Sequence, residues 1–127
     1  MTKKGIDDLS FQIIGAAIEV HKNLGAGLLE SVYHECMKEE LRLRKIVPII
    51  YKGNQLEANL RCDLYVENLI VVELKSTVEM HKVFESQILT YMNLLNAPKG
   101  ILINFNCKNK LKERQKTFVN EIYRNLP

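Results

Sequence analysis

One stretch constrains the chain more than any other: Asp63-Leu64-Tyr65-Val66-Glu67-Asn68-Leu69-Ile70-Val71-Val72-Glu73-Leu74-Lys75. Outside a short turn, its side chains alternate. Leu64, Val66, Ile70, Val72 and Leu74 form one face, and Asp63, Tyr65, Val71, Glu73 and Lys75 the other. This period of two predicts a β-hairpin, and turn length sets its register. A two-residue turn at Glu67-Asn68 pairs Val66 with Leu69 and Cys62 with Glu73, and it sends Asp63 to the other side. A three-residue loop, Glu67-Asn68-Leu69, pairs Val66 with Ile70 and Asp63 with Glu73. It also keeps all five apolar residues together. Hydrophobic patterning sets register, so the three-residue loop or an equivalent bulge is expected, with Asn68 or its neighbour at φ > 0.

The flanking segments change period. Leu9, Ile13, Ile14, Ala16, Ala17, Ile18, Val20 and Leu24 recur every three or four residues, predicting a helix over about Asp8–Leu24. Asp7 or Asp8 would cap it and Gly25 end it. A second helix is expected from about Leu28 to Arg44, with Leu29, Val32, Tyr33, Cys36, Met37, Glu40 and Leu41 on one broad stripe. Val47–Tyr51 reads as a strand, Lys52-Gly53-Asn54-Gln55 as a turn, and Leu56–Val66 and Ile70–Lys75 as strands. Glu79–Leu95 returns to helical spacing through Val83, Ile88, Tyr91, Met92 and Leu95, and Pro98 breaks it. Lys99–Phe105 reads as a buried strand. Residues 107–126 stay open: Leu111, Phe118, Ile122 and Leu126 suit a terminal helix, and Thr117-Phe118-Val119 a strand. The order predicts a mixed α/β domain, a sheet covered by helices.

Composition narrows the class. With 127 residues, 46% hydrophobic and 26% charged, the chain suits one domain with its own core. Three widely spaced cysteines, Cys36, Cys62 and Cys107, argue against a disulfide scaffold or zinc knuckle. They read as thiols in a reducing compartment. The charged N-terminal segment is followed by no apolar run of signal length, and nothing approaches the roughly 20 apolar residues of a membrane span. The expectation is a cytoplasmic protein. A net charge of +3 is too mild to name a partner.

Chemistry concentrates in the hairpin. Two carboxylates opposed on a sheet repel unless neutralised. A divalent cation would do this, and Lys75 on the same face would help. Asp and Glu oxygens with an unused backbone carbonyl suit Mg²⁺ or Mn²⁺. A metal so held can polarise a phosphate and acidify a bound water. Lys75 could orient that water or offset developing negative charge. The plainer reading makes Glu73 and Lys75 the exposed face of an edge strand. Glu30 could be a third acidic ligand, or favourable charge at a helix N-terminus. Gln87 and Tyr91, one helical turn apart, could orient Lys75, the metal water or a substrate phosphate, or simply form a polar rim beside the core.

Assembled, these positions resemble the GxxExxY family of the PD-(D/E)XK nuclease-like superfamily. The naming motif stands as Gly27-Leu28-Leu29-Glu30-Ser31-Val32-Tyr33. The later signature resembles Arg61-Cys62-Asp63-Leu64-Tyr65-Val66 and Ile70-Val71-Val72-Glu73-Leu74-Lys75. Gln87-Ile88-Leu89-Thr90-Tyr91 resembles a Q-x-x-x-Y element, and Gly100-Ile101-Leu102-Ile103-Asn104-Phe105 the last core strand. The resemblance spans roughly residues 9 to 119, and Cys62 replaces the Pro of the superfamily's name. It implies a restriction-endonuclease-like core in which Asp63 and Glu73 bind the metal with the Leu74 carbonyl. It further implies Lys75 as catalytic lysine, Glu30 completing the acidic cluster, and Gln87 and Tyr91 supporting the site. The activity implied is metal-dependent phosphodiester hydrolysis in DNA, with RNA as second choice, and a homodimer would address both strands.

Lys108, Lys110, Lys112, Arg114 and Lys116 alternate through the tail. A nuclease needs cations for phosphates, and such a run supplies them. On a strand they share a face, and on a helix they scatter. The plainer reading is a solvated segment. His21, His34 and His81 share no ligand spacing and read as structural or surface residues. The other functions the fold allows are a non-catalytic nucleic-acid-binding module and a protein-interaction subunit.

Overall fold

The computed structural model describes residues 1–49, 62–108 and 110–127. Helix α1 spans Lys3–Leu24 and α2 Glu30–Leu43. Strands β1 (Pro48–Ile49), β2 (Leu64–Val66) and β3 (Ile70–Lys75) follow, then α3 (Lys82–Leu95) and β4 (Lys99–Asn104). A 3₁₀ turn (Leu111–Arg114), β5 (Gln115–Val119) and the short α4 (Glu121–Arg124) end the chain. The sheet order is β1-β2-β3-β4-β5, with β3 and β4 parallel and every other pair antiparallel. The expected turn at 52–55 and the first half of the Leu56–Val66 strand lie outside the described residues.

The hairpin has the register that patterning required. Val66 pairs with Ile70, Tyr65 with Val71 and Leu64 with Val72. Both Glu67 (φ 55°) and Asn68 (φ 57°) take the left-handed conformation in the three-residue loop. Leu64, Val66, Ile70, Val72 and Leu74 join Ile101 and Ile103 of β4 on one face, buried under α1 and α2. Tyr65, Val71 and Leu102 form the other face with Ile88, Tyr91 and Met92 of α3. The sheet is thus sandwiched between helical layers. β3 lies at its centre, which removes the edge-strand reading of Glu73 and Lys75. At Gly100 an added Cβ would meet Met92 Sδ at 2.8 Å and Ile88 at 3.1 Å, so glycine lets α3 pack this closely.

Several boundaries differ from expectation, each for a tertiary reason. α1 starts at Lys3 because the Thr2 hydroxyl accepts from Gly5 N–H at 3.0 Å. Asp7, expected as a cap, instead accepts from the buried Lys99 ammonium (2.9 Å) and the Tyr123 hydroxyl (2.9 Å). Lys99 holds its carboxyl below the usual range. Asp8 pairs with Lys4. Leu28 stays outside α2, its carbonyl accepting from the Ser76 hydroxyl at 2.6 Å. The α2 stripe is narrower than predicted: Tyr33, Met37 and Leu41 are buried, whereas Leu29 is exposed. α3 begins three residues late, after a loop in which the Thr77 hydroxyl donates to the Glu79 carbonyl. It ends at Asn96 in the left-handed conformation, before Pro98 is reached. The tail resolves into a strand followed by one helical turn. Among the described residues, no helix is long and apolar enough to cross a membrane.

Candidate active site

The site forms where β2 and β3 meet at the end of the hairpin away from its turn. Asp63 N–H donates to Glu73 Oε1 at 3.1 Å, and Asp63 Oδ2 accepts from Leu74 N–H at 2.8 Å. Each acid is therefore tied to the backbone of the other's strand. Glu73 is only 5% exposed. Burial above all, then the charge of Asp63 and a hydrogen bond between the two carboxyls, push its carboxyl well above the ordinary value. Lys75 and the Asp63 amide oppose the shift. The Cys62 thiol beside them is pushed up by burial and by both acids, and it donates to the Leu64 carbonyl at 3.0 Å. It is a packed thiol, not a nucleophile.

Lys75 ends β3 with its ammonium 4.4 Å from the centre of the Phe84 ring on α3, a cation–π contact. Its carbonyl accepts from Phe105 N–H at 2.8 Å. Gln87 is half-buried on the next turn of α3. Tyr91 is 6% exposed within the packed face beneath that helix, so it is a core residue rather than part of a rim.

Glu30 arrives from the other side of the sheet. Gly25 (φ 75°) and Gly27 (φ 87°) take the left-handed conformation in the turn before α2, and nothing crowds either position. Backbone freedom, not space, is why they are glycines. Tyr33 braces this turn: its hydroxyl donates to the Gly25 carbonyl (2.6 Å) and accepts from Leu28 N–H (3.2 Å). Its ring stacks on Phe105 at 4.3 Å. Glu30 Oε2 then accepts from Ser76 N–H at 3.4 Å, one residue beyond Lys75. The convergence of three carboxylates is not present: among the described residues no group of three or more His, Cys, Asp and Glu side chains could hold a metal. Asp63 and Glu73 form a pair, and Glu30 stands at its own anchor. The pair still fits a hard divalent cation by its chemistry, since it presents two carboxyl groups whose mutual repulsion a cation would relieve.

Two residues hold the site without having been singled out. His34, one turn after Glu30 on α2, donates from Nε2 to the Asp63 carbonyl at 3.0 Å. The i, i+4 spacing from Glu30 was its only local signal. Asn104, fully buried and paired with Lys75, ties together the loops that leave β3 and β4. Its Oδ1 accepts from Thr77 N–H (3.2 Å) and Asn106 N–H (3.1 Å), and its Nδ2 donates to the Thr77 carbonyl (3.0 Å). An amide directly after the apolar run Ile101–Ile103 marks it in the sequence.

The predicted basic run divides. Lys116 pairs with Glu85 at 3.0 Å on the α3 side. Lys108 and Lys110 line a cleft at the end of α1. The run is neither one strand face nor one helix, because the 3₁₀ turn intervenes.

A mixed sheet between helices, with a paired Asp and Glu and a Lys two residues on, defines a restriction-endonuclease-like α/β protein. The chain belongs to the PD-(D/E)XK nuclease superfamily, whose family model it matches over residues 7–118. No curated protein and no solved structure matches it at a significant level.

Proposed function

We propose that this chain is a divalent-metal-dependent nuclease of the GxxExxY type, a single domain that hydrolyses phosphodiester bonds in DNA, with RNA as the second candidate. The observation that carries this reading is the Asp63–Glu73 pair, with Glu73 buried and each acid tied to the backbone of the other's strand, two residues before Lys75. Mg²⁺ or Mn²⁺ would be held by Asp63, Glu73 and the Leu74 carbonyl, which lies on the strand edge facing Asp63. When bound, the ion supplies Lewis acidity toward a phosphate oxygen and lowers the pKa of water.

The protein's own groups do the rest. Asp63 and Glu73 would hold the cation as carboxylates, which would offset the burial that works against the ionised form of Glu73. Lys75, kept in place by Phe84, orients the attacking water and offsets negative charge on the phosphoryl group. Gln87 supports the lysine from α3, and Tyr91 supports it through the packing of that helix. Glu30 extends the acidic surface toward the Ser76 loop. All three cysteines are free, which suits a reducing, cytoplasmic setting. A homodimer would bring two such sites to two strands.

Purified protein with Mg²⁺ or Mn²⁺ is expected to cut single- or double-stranded DNA. Lys75→Ala and Asp63→Ala should each abolish cutting while thermal unfolding stays cooperative. Cutting that survives both substitutions would sink the reading. The position of Glu30 outside the carboxylate pair favours one second reading, a non-catalytic nucleic-acid-binding module on the same fold. That reading expects salt-dependent binding with no cutting in either metal.

A further inference from the structure

The loops leaving β3 and β4 wall two neighbouring clefts. The first, about 580 Å³, is lined by Gly27, Glu30 and Ser31 on one side and by Ser76, Val78 and Asn106 on the other. The second, about 450 Å³, lies next along the same two segments, between Gly25 with the end of α1 and Lys108 with Lys110. The steps match: Gly25 leads to Gly27–Ser31 on one wall, as Lys108 leads back to Asn106 on the other. Asn106 is in turn fixed by Asn104, the β4 partner of Lys75. The two clefts thus follow one another along the same two chain segments, and the first ends at Glu30 and Ser76, the residue after Lys75.

The second cleft is built for anions. Lys22, Lys108 and Lys110 line it above an apolar floor of Ile18 and Leu111. Among the described residues, none of the three lysines forms an ion pair, whereas Lys4, Lys38, Lys99 and Lys116 all do. His21 Nε2 donates to the Cys107 carbonyl at 2.7 Å, which pins the lysine-bearing loop to α1. Three full positive charges outweigh the partial negative charge of the α1 C-terminus, roughly half an elementary charge. Unpaired lysines around a groove are costly to gather unless a polyanion joins them.

We propose that Lys22, Lys108 and Lys110 form a phosphate-backbone subsite that holds nucleic acid beside the Glu30–Ser76 cleft. This rests on the nucleic-acid reading above but not on catalysis. It assigns the two halves of the predicted basic run different roles: Lys108 and Lys110 bind substrate, and Lys116 secures α3.

The test is fluorescence anisotropy of the full chain, in EDTA so that nothing is cut, on labelled duplex DNA, single-stranded DNA and RNA across a salt series. In the variant Lys22→Gln/Lys108→Gln/Lys110→Gln, the slope of log K against log[salt] should fall by about 2 to 3 in magnitude. Each lost contact contributes about 0.9 on duplex and 0.7 on single strands. Lys3→Gln/Lys4→Gln, at the far end of α1, should leave the slope unchanged, and both variants should keep the wild-type Tm. An unaltered slope in the triple variant overturns the subsite, and so does absence of wild-type binding at about 50 mM salt. A lowered slope with no cutting in Mg²⁺ or Mn²⁺ keeps the subsite and removes the hydrolytic reading. Cutting by the wild type with an unaltered slope does the reverse.

Discussion

The two faces of the β2–β3 hairpin are made from the same two strands and differ in what they are organised to do. One face, Leu64, Val66, Ile70, Val72 and Leu74, is apolar to its last residue and buried under α1 and α2. The other starts the same way, with Tyr65 and Val71 packed under α3, and then places Asp63, Glu73 and Lys75 at its end. Burial stabilises the first face by roughly 25 cal/mol per Å² of apolar surface. On the second, the same burial works against the ionised form of Glu73. Alternation along a strand lets a chain set a rigid core and a destabilised polar site side by side without either disturbing the other.

The two faces should respond in opposite ways to truncation, most of all at Lys75. Lys75→Ala is expected to lower cleavage by at least about 10²-fold, the scale of a lost transition-state donor, while Tm shifts by no more than a few degrees. Paired kinetic and thermal measurements check this. On the other face the outcome should be inverted. Ile70→Ala is expected to destabilise by about 2–5 kcal/mol and to leave the folded fraction active, read by denaturant unfolding beside specific activity.

The raised Glu73 carboxyl makes stability depend on pH. The folded-state pKa of Glu73 is raised above its ordinary 4.5, so the native state keeps a proton that the unfolded chain has lost. Stability of the metal-free protein should therefore be fullest below pH 4.5, as far as this group is concerned, and fall as pH rises toward the folded value. Glu73→Gln should flatten that decline and raise Tm at neutral pH. A divalent cation should stabilise the wild type, by about 2.7 kcal/mol at a hundredfold excess over Kd, and should not stabilise Glu73→Gln to the same extent. Thermal scans at several pH values, with and without Mg²⁺, decide it. The smallest effect is expected at His34. His34→Ala removes one hydrogen bond to the Asp63 carbonyl and should cost about 1 kcal/mol, with a modest fall in kcat and little change in KM.

Much of this was legible in the residues. The hairpin register followed from alternation because a slip of one residue would turn five apolar side chains outward. The Asp63–Glu73 pairing followed from that register. Gly25 as the end of α1 was readable for a local reason, its need for a positive φ. The rest depended on partners far along the chain. Asp7 looked like a helix cap until Lys99 and Tyr123 reached it. Tyr91 looked like half of a polar rim until α3 settled close on Gly100 and buried it. Glu30 looked like a third ligand, yet the turn braced by Tyr33 delivers it to Ser76 instead.

By itself, the sequence determined the periods: which described segments before residue 107 are helix or strand, which hairpin residues share a face, and that two acids and a lysine lie together on one of them. Those are properties of neighbours within a few residues, set by backbone geometry and the need to bury apolar surface. Only the tertiary structure decided that Glu30 stays outside the carboxylate pair, that His34 and Asn104 brace the site, and that the basic run divides between two sides of the sheet. Such outcomes turn on hydrogen bonds and charges between residues 27 to 86 positions apart, and no local pattern records which of those partners will meet.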